Sequence, residues 1–276
     1  MKSLKVVIIG KGKVGQSLAQ LFSIKGINVS LVGRSFIEQQ HACRLADISL
    51  LTVTDGNIQR VCEALASSFK AGSIVAHCSG ALSSSALNSA KNKHCYTASA
   101  HPLNTFPSVQ ASLTTFANDQ HGSHLYAEGE AIALNKLLPL FAHAGFKTQT
   151  INSQAKPLYH AACVFACNYI NSLMDMSLST AEAAGLERNQ FWSSLQPLIQ
   201  ATLNNISQQG TAKALSGPIA RGDVNTITTH LYELEGVSQQ LKKNYADLGL
   251  KALELAVENG ELSDEKIKKI ESLLKK

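Results

Sequence analysis

Residues 6–15, VVIIGKGKVG, decide how the N-terminal half of the chain is interpreted. The apolar run LKVVII at 4–9 stops at a glycine, as a buried parallel strand does. The following SLAQLFSIKG, at 17–26, repeats apolar side chains at helical spacing before the next glycine. A strand, a glycine loop and a helix are therefore predicted in direct succession.

The loop has three glycines in the order G-x-G-x-x-G. In a strand-loop-helix unit these glycines allow a tight turn, a close approach to a pyrophosphate, and close packing of helix on strand. The helix N-terminus adds free N–H groups and a partial positive charge. An ordinary glycine-rich turn is the alternative. We expect a dinucleotide cofactor here, bound by Gly10, Gly12, Lys13, Val14 and Gly15.

The end of the second predicted strand, NVSLVG at 28–33, indicates which cofactor is bound. NAD-binding domains have an acidic residue at this point, which accepts hydrogen bonds from the ribose 2′-hydroxyl. This chain has Arg34 and Ser35, and no carboxylate before Glu38. A guanidinium and a hydroxyl suit a 2′-phosphate, so NADP is favoured over NAD. Only eleven residues separate Ser35 from Asp47, which predicts an abbreviated adenine side of the pocket.

Strands and helices continue to alternate after this point. Strands are predicted at 48–54 and 73–79, with a helix at 57–69 between them. This alternation implies a parallel sheet covered on both sides. We therefore predict an α/β, doubly wound Rossmann-type domain at residues 1–152 and an all-helical C-terminal domain at residues 153–276.

The last third of the first domain is less regular. Short strands are predicted for YTASAH (96–101), TTFAND (114–119) and HLYAEG (124–129), a helix for 130–145, and a closing strand for KTQTI (147–151).

Composition limits the kinds of protein this chain can be. It has 276 residues, 45% of them hydrophobic and 16% charged, with a net charge of +5. No run approaches the roughly 18 apolar residues of a membrane helix, and the N-terminal apolar run is too short for a signal peptide, so we expect a cytoplasmic protein without membrane contacts. Six cysteines lack disulfide spacing, and no aromatic-basic groove suggests nucleic acid.

Ligands of such sheets lie beyond the carboxyl ends of the strands. Thr54 and Ser79 follow two predicted strands and are expected to contact the cofactor, while Gly80 is expected at the substrate. His101 precedes a proline, which favours an extended backbone at a strand end. Its imidazole could exchange a proton with a substrate oxygen, or it could be bound within a local turn.

A second set of polar side chains lies in KPLYHAACVFACNYIN, residues 156–171. Because proline is tolerated in a first turn, a helix is predicted from residue 155 or 156 to about Ala184, with Gly185 ending it. At about 100° per residue, a polar stripe then falls within an arc of about 120°. Its members are Lys156, His160, Val164, Cys167, Asn168 and Asn171.

Three hypotheses can explain this stripe. A zinc site from His160, Cys163 and Cys167 is disfavoured because no fourth ligand is evident. Packing in a helical core is a second possibility. The third is a catalytic face toward the nicotinamide, with Lys156 or His160 as the proton donor. In that case Asn168 or Asn171 would orient the substrate.

A further polar cluster lies at 216–223. Asp223 is a suitable N-cap for the helix VNTITTHLYELEG, and Arg221 could bind an anionic substrate group. Pairing of Arg221 with Asp223 to fix the loop is equally compatible with the sequence.

Several segments together resemble one family. They are the glycine loop, HCSG (77–80), AHPL (100–103), YAEGE (126–130), KPLYHAA (156–162) and LSGPIARGD (215–223). The chain is similar over almost its whole length to Rossmann-like proteins named as NADP oxidoreductases, whose C-terminal half is a domain of unknown function. The resemblance implies a Rossmann domain with a helical dimerisation domain, similar to the 6-phosphogluconate dehydrogenase superfamily. It implies a homodimer but no particular substrate.

More distant families suggest roles for individual positions. Prephenate dehydrogenases have a similar serine after a strand and a similar His-Pro, which Ser79 and His101 match; there the histidine engages the substrate hydroxyl. β-Hydroxyacid dehydrogenases and ketopantoate reductases place a lysine and an asparagine on the first interdomain helix. Lys156 and Asn168 lie on the corresponding helix, although their spacing is wider than in β-hydroxyacid dehydrogenases.

These observations predict an NADP-dependent oxidoreductase. It would transfer hydride between nicotinamide and a small carbonyl, hydroxy or imine substrate in the cleft between the domains. The catalytic candidates are Lys156, His160, His101 and Asn168, and the substrate-binding candidates are Gly80, Asn171, Arg221 and Asp223. The alternative is a non-catalytic NADP-binding or sensing protein whose helical half serves dimerisation or a partner.

Overall fold

The computed structural model describes residues 4–118 and 123–276. The chain divides into two compact units, Met1–Phe165 and Ala166–Lys276. The predicted boundary at residue 152 lies earlier than this division. The difference arises because the helix that begins at Lys156 buries that side chain completely within the first unit.

One sheet organises the described part of the first unit. Its strands are β1 (Val6–Ile9), β2 (Val29–Val32), β3 (Ile48–Leu51), β4 (Ile74–His77), β5 (Tyr96–Leu103), β6 (His124–Gly129) and β7 (Lys147–Thr150), in the order β2-β1-β3-β4-β5-β6-β7. β1 to β5 are parallel, as predicted. β6 runs antiparallel to β5, and β7 is parallel to β6, so the sheet is mostly parallel, with one antiparallel pair in the part that the sequence showed to be less regular.

Helices cover both faces of the sheet. They are α1 (Lys13–Ile24), α2 (Phe36–Leu45), α3 (Asp55–Leu65), α4 (Asn88–Lys91), α5 (Val109–Asn118), α6 (Ala131–His143) and α7 (Lys156–Cys163). β1 is buried on both sides: Val6 and Ile8 pack with α1 and α6, whereas Val7 and Ile9 pack with α2 and α3. The doubly wound Rossmann-type fold is therefore confirmed.

β2 is an edge strand of this sheet. A single helix, α2, connects it to β3, and β3 pairs with β1 rather than with β2. In the described part of the chain, the sheet therefore has no strand beyond β2, as the short spacing between Ser35 and Asp47 predicted.

The strand predicted at 114–119 was wrong. Residues 114–118 belong to helix α5, and Asp119 lies outside the described residues. The β-branched pair of threonines suggested a strand, but intrinsic strand preference is weak and context overrides it.

The described second unit is all helical, as predicted. It contains α8 (Tyr169–Ala183), α9 (Arg188–Lys213), α10 (Pro218–Arg221), α11 (Val224–Val237), α12 (Gln239–Asn259) and α13 (Asp264–Leu274). Its core includes Ile227, Leu253 and Ile270, all fully or nearly fully buried. None of the described helices is long and apolar enough to span a membrane.

The long helix predicted from residue 155 or 156 to 184 is present, but it is not uniform. α7 passes into a π-helical segment, Val164–Asn168, and then into α8, which ends before Gly185 in the left-handed region (φ 84°). The predicted angular positions of Cys167, Asn168 and Asn171 assumed regular α-helix and do not hold through this segment.

Candidate functional site

The three glycines of the loop differ in whether the fold requires a glycine at their position. Gly10 has a positive φ of 122°, and a Cβ there would lie 2.9 Å from the carbonyl carbon of Thr52. A Cβ on Gly15 would overlap the carbonyl oxygen of Gly10. Gly12 has an ordinary φ of −73°, and the nearest atom to its Cβ position is 3.9 Å away. The protein itself therefore does not require a glycine at position 12.

Backbone N–H groups follow Gly12 at the start of α1. The first hydrogen bond of α1 joins the Gln16 N–H to the Gly12 carbonyl at 2.9 Å, so the helix provides no acceptors for the N–H groups of Lys13, Val14 and Gly15. No acidic side chain lies in the first turn of α1. The loop fits an anionic group such as a pyrophosphate.

The turn after β2 places basic groups together. Arg34 is exposed there, and the side chain of Lys11 lies 3.2 Å from the Cβ position of Gly33. Ser35 caps α2, its hydroxyl accepting a hydrogen bond from the Glu38 N–H at 3.4 Å. The Lys11 stem therefore lies against the turn that carries Arg34, just before helix α2.

Ser79, beyond β4, is fully engaged by the protein. Its hydroxyl donates to Asp55 Oδ2 at 2.7 Å and accepts from the N–H groups of Ala81 and Leu82 at 3.2 and 3.0 Å. A cofactor contact from this hydroxyl would displace one of these bonds, so that role stays a prediction. Thr54 is exposed and accepts a hydrogen bond from Asn57 at 2.7 Å.

Lys156 is completely buried beside the carboxyl end of β4 and the middle of β5. Its Nζ donates to the carbonyl of Ser79 at 3.0 Å and to Oγ of Ser99 at 2.8 Å. Burial lowers the pKa of this amine, and the charge of Glu128 opposes the change. In the described part of the chain no carboxylate lies within 4 Å of Nζ. Lys156 therefore links the residue that follows β4 to a residue within β5.

His101 lies beside this lysine near the end of β5. Its Nδ1 shares a hydrogen bond of 2.8 Å with the Tyr159 hydroxyl, and the two rings meet edge to face. Burial lowers the pKa of His101 to about 4, assisted by the positive charge of Lys156. The imidazole is therefore neutral at neutral pH and can accept a proton.

His160 faces His101 across Gly80. The ring centroids of the two histidines are 5.9 Å apart, and the rings are nearly perpendicular. A Cβ on Gly80 would overlap Nδ1 of His160 and lie 3.0 Å from Nε2 of His101. A glycine at position 80 therefore lets both imidazole rings pack against this turn.

A third histidine, His77, has a structural position. Its Nδ1 accepts a hydrogen bond from the Ser79 N–H at 3.2 Å, so Nε2 is the nitrogen that donates to the Ser83 carbonyl at 3.0 Å. Burial lowers its pKa to about 4. This neutral ring fixes the turn that presents Ser79 and Gly80.

Other predicted residues lie in the second unit. Asn168 and Asn171 are exposed, and the Asn171 amide donates to the Cys167 carbonyl at 3.2 Å. Asp223 caps α11 by accepting from the Thr226 N–H at 3.1 Å, which confirms the predicted cap. Arg221 is exposed at the end of α10, and no ion pair with Asp223 occurs within 4 Å among the described residues. Their binding roles stay predictions.

Several residues of the site were missed by sequence reasoning. Thr52 donates to the carbonyls of Ile9 and Gly10 and so shapes the glycine loop. Glu128, buried in β6, accepts from the Ser84 N–H and hydroxyl at 2.6 and 2.9 Å. Ser99 and Tyr159 were also missed. A polar residue inside an otherwise buried strand was the available signal for Ser99 and Glu128.

Comparison with known proteins supports the fold. Residues 1–102 match the description Rossmann-like domain, and residues 123–252 match the domain of unknown function DUF2520. No curated protein matches the chain significantly.

Solved structures of similar fold cover nearly the whole chain. Protein TM1727 from Thermotoga maritima is 21% identical, with a TM-score of 0.70, over 93% of this chain and 100% of its own. Protein BF3122 from Bacteroides fragilis, provisionally named an NADP oxidoreductase, is 18% identical, with a TM-score of 0.73, over 91% of this chain and 98% of its own. Pyrroline carboxylate reductase from Plasmodium falciparum, solved with NADP bound, is 14% identical, with a TM-score of 0.62, over 99% of this chain and 99% of its own.

Sheet order and glycine loop thus define a protein of the Rossmann-like class with a helical second domain. Residues 123–252 match the model of the DUF2520 domain, in agreement with the resemblance noted in the sequence.

Proposed function

We propose that this protein is an NADP-dependent oxidoreductase acting on a small carbonyl, hydroxy or imine compound. The observation that carries the proposal is Gly12, which neither backbone strain nor packing explains, at a helix N-terminus with free N–H groups. A glycine at this point is required where backbone approaches a pyrophosphate closely. The names of two structures of similar fold, which mention NADP, support the same cofactor.

The turn after β2 supports NADP over NAD. Arg34 can pair bidentately with a 2′-phosphate, and Lys11 adds a second positive charge at the same turn. The proposed holding residues are Gly10, Gly12, Lys13, Val14 and Gly15 for the pyrophosphate, and Arg34 with Ser35 for the 2′-phosphate.

The groups around Gly80 suit the acid-base half of the reaction. A bound nicotinamide supplies or accepts hydride, so the reaction is carbonyl + NADPH + H⁺ ⇌ alcohol + NADP⁺, or its imine-amine equivalent. His101 is neutral, so it can take the proton from a hydroxyl in the oxidative direction. Lys156 holds the turn after β4 against β5 through its hydrogen bonds to Ser79 and Ser99.

The experiment is a hydride-transfer screen followed by NADPH absorbance over panels of ketones, aldehydes and imines. We expect turnover by the wild type and a loss of roughly 10²–10⁴-fold in His101→Gln, the usual contribution of general acid-base catalysis. The matched control is His143→Gln, an exposed histidine whose ring contacts only the Lys25 carbonyl among its described hydrogen bonds. NADPH binding without turnover on any panel would instead support a non-catalytic NADP sensor.

A further inference from the structure

The described second unit contains a cavity of about 500 Å³ between four of its helices. A volume of this size lies within the range of about 300–1,000 Å³ that small-molecule sites occupy. Side chains from α8, α9, α11 and α12 line it, together with Leu186 from the turn between α8 and α9. We call it the helical cavity. None of the described residues predicted to bind cofactor or substrate lines it.

The wall of the helical cavity is mainly apolar. Ala181 on α8 and Leu234 on α11 are buried, whereas Leu186 and Leu248 are about half exposed and mark the opening to solvent. A ligand that covered these leucines would remove apolar surface from water, which is favourable in proportion to the area covered. The wall therefore suits the apolar body of a small molecule.

The electrostatics of the wall favour a cation. Glu233 on α11 is exposed and has the only carboxylate among the described lining residues, which include no lysine or arginine. In the described part of the chain, no basic side chain pairs with it within 4 Å. Thr180, Ala181 and Ala184 bring the C-terminal turn of α8 into the wall, and helix C-termini carry a partial negative charge. Both features attract a positive group.

Two further polar side chains of the wall are bonded to each other. His230 Nδ1 and the Tyr245 hydroxyl share a hydrogen bond of 2.9 Å, and the two rings meet edge to face. Burial raises the pKa of Tyr245, so its hydroxyl is uncharged at neutral pH. Tyr245 therefore adds aromatic surface to the wall without adding charge.

We propose that the helical cavity binds a small hydrophobic amine, with its apolar body against the leucines and its ammonium group toward Glu233. The site is independent of the proposed function, because all of its lining residues belong to the second unit. The ligand class is alkyl or arylalkyl amines with one positive charge. Carboxylates of the same shape are disfavoured, since they would meet Glu233 and the end of α8.

Methionine methyl groups provide a direct test. The chain has three methionines; Met176 lines the helical cavity, whereas Met174 lines a separate groove with Asp175 and Trp192. The full chain, labelled with ¹³C at the methionine methyl groups, is titrated with phenylbutylamine and followed by NMR. Signals are assigned with Met174→Leu and Met176→Leu. We expect the amine to shift the Met176 signal saturably and to leave the Met174 signal in place.

The contribution of the head group is measured with two further probes, phenylbutanol and phenylbutyrate, which keep the ring and the carbon chain. The alcohol should bind roughly threefold more weakly than the amine, as expected for one solvent-exposed ion pair, and the carboxylate more weakly still. Glu233→Gln should remove the preference for the amine over the alcohol. Glu258→Gln, at an exposed glutamate of α12 outside the cavity, should keep it.

The body of the ligand is tested by filling the cavity. Ser177→Phe places a large ring among the lining residues and should abolish the Met176 response to the amine. Ser179→Phe, at an exposed position of the same helix that does not line the cavity, should leave the response unchanged. Urea denaturation of both variants shows whether they are folded.

Four outcomes would overturn the proposal. They are no Met176 shift up to the solubility limit of the amine, an equal shift of Met174, equal affinity for amine and carboxylate, and normal binding by folded Ser177→Phe. A Met176 signal that moves when the protein alone is diluted, and does not respond to the amine, would assign the cavity to a second copy of the chain instead.

Discussion

At the scale of single residues, the glycine loop contains one glycine that the fold requires and one that only a bound ligand would require. Gly15 has a carbonyl oxygen where a Cβ would be, whereas a Cβ on Gly12 would make only an ordinary van der Waals contact, 3.9 Å from the carbonyl oxygen of Thr52. The same residue type in one motif therefore serves two purposes, and substitution by alanine can tell them apart.

We predict opposite behaviour for Gly12→Ala and Gly15→Ala. Gly12→Ala should change the free energy of unfolding by less than about 1 kcal/mol, because its φ is ordinary. It should weaken NADPH binding roughly tenfold, ~1.4 kcal/mol, because the methyl group holds the pyrophosphate away. Gly15→Ala should lose about 1–3 kcal/mol of stability through overpacking. Urea denaturation and NADPH titration measure both, and equal destabilisation by the two variants would contradict the distinction.

Two histidines with lowered pKa values, the buried His77 and the partly buried His101, predict a stability change with pH. The pKa values of His77 and His101 are held at about 4, below the ordinary 6.5. Between these values the unfolded chain binds protons that the folded chain does not, so stability is full above pH 6.5 and falls as the pH drops toward 4. Each histidine should account for up to about 3 kcal/mol of this loss.

Urea unfolding at several pH values between 7 and 4 measures the effect. His77→Gln should reduce the slope of unfolding free energy against pH by about one proton in this window. Carboxylates with lowered pKa, such as Asp47 and Glu130, lose their contribution at lower pH and should not differ between the proteins. An unchanged slope in the variant would show that His77 is not held neutral.

The sequence could identify the candidate residues but not their partners. His101 and Lys156 stood out because of their types and their places after a strand and at a helix start. The partners of Lys156, Ser79 and Ser99, are 77 and 57 residues away in sequence, and Tyr159 is 58 residues from His101. Contacts at such separations depend on strand order and register, which no local pattern encodes.

At the scale of elements, the turn between β2 and α2 should control the choice of cofactor. Arg34→Ala should weaken NADPH binding by roughly ten- to a hundredfold, because a charge-assisted hydrogen bond contributes about that much affinity. It should leave NADH binding unchanged, because NADH has no 2′-phosphate. Binding titrations with both cofactors measure this. Arg44→Ala, at an exposed arginine in the last turn of the same helix, is the matched control. Equal losses of affinity for NADPH and NADH would contradict the proposed contact between Arg34 and the 2′-phosphate.

Whether a segment forms a helix or a strand could be predicted where the spacing of its apolar residues was regular. The direction of a strand within the sheet could not. β1 and α1 followed directly from apolar spacing and the glycine loop. The antiparallel β6 was not anticipated, because the side chains of Leu125 and Ala127 bury in the same way in either strand direction. The π-helical segment within residues 156–183 was also missed, since its sequence shows no proline or glycine to announce it.

At the scale of the whole molecule, α9 suggests how the chain associates. None of its residues is buried within the chain, and it exposes Leu198 and Leu203 by 63% and 47%. The family resemblance implied a homodimer through the helical half. We therefore predict that the protein is a dimer of the 29.5 kDa chain in solution, with α9 in the interface.

Light scattering after size-exclusion chromatography measures the mass. The double variant Leu198→Asp with Leu203→Asp should be monomeric, because burying two carboxylates in an apolar contact is costly. Gln200→Asp, at an exposed polar position on the same helix, should stay dimeric. A monomeric wild type, or a dimer unaffected by the double variant, would contradict the prediction.

The two ends of the sheet bear on how the folded protein avoids aggregation. β2 and β7 both have one side without a neighbouring strand in the described sheet, and such edges can add strands from other chains. Each is only four residues long, and β7, with the sequence KTQT, is mostly exposed and begins with a lysine. Short, polar or charged edges are poor templates for open-ended strand addition. The loss of a strand beyond β2 therefore leaves an edge too short to support fibril-like growth.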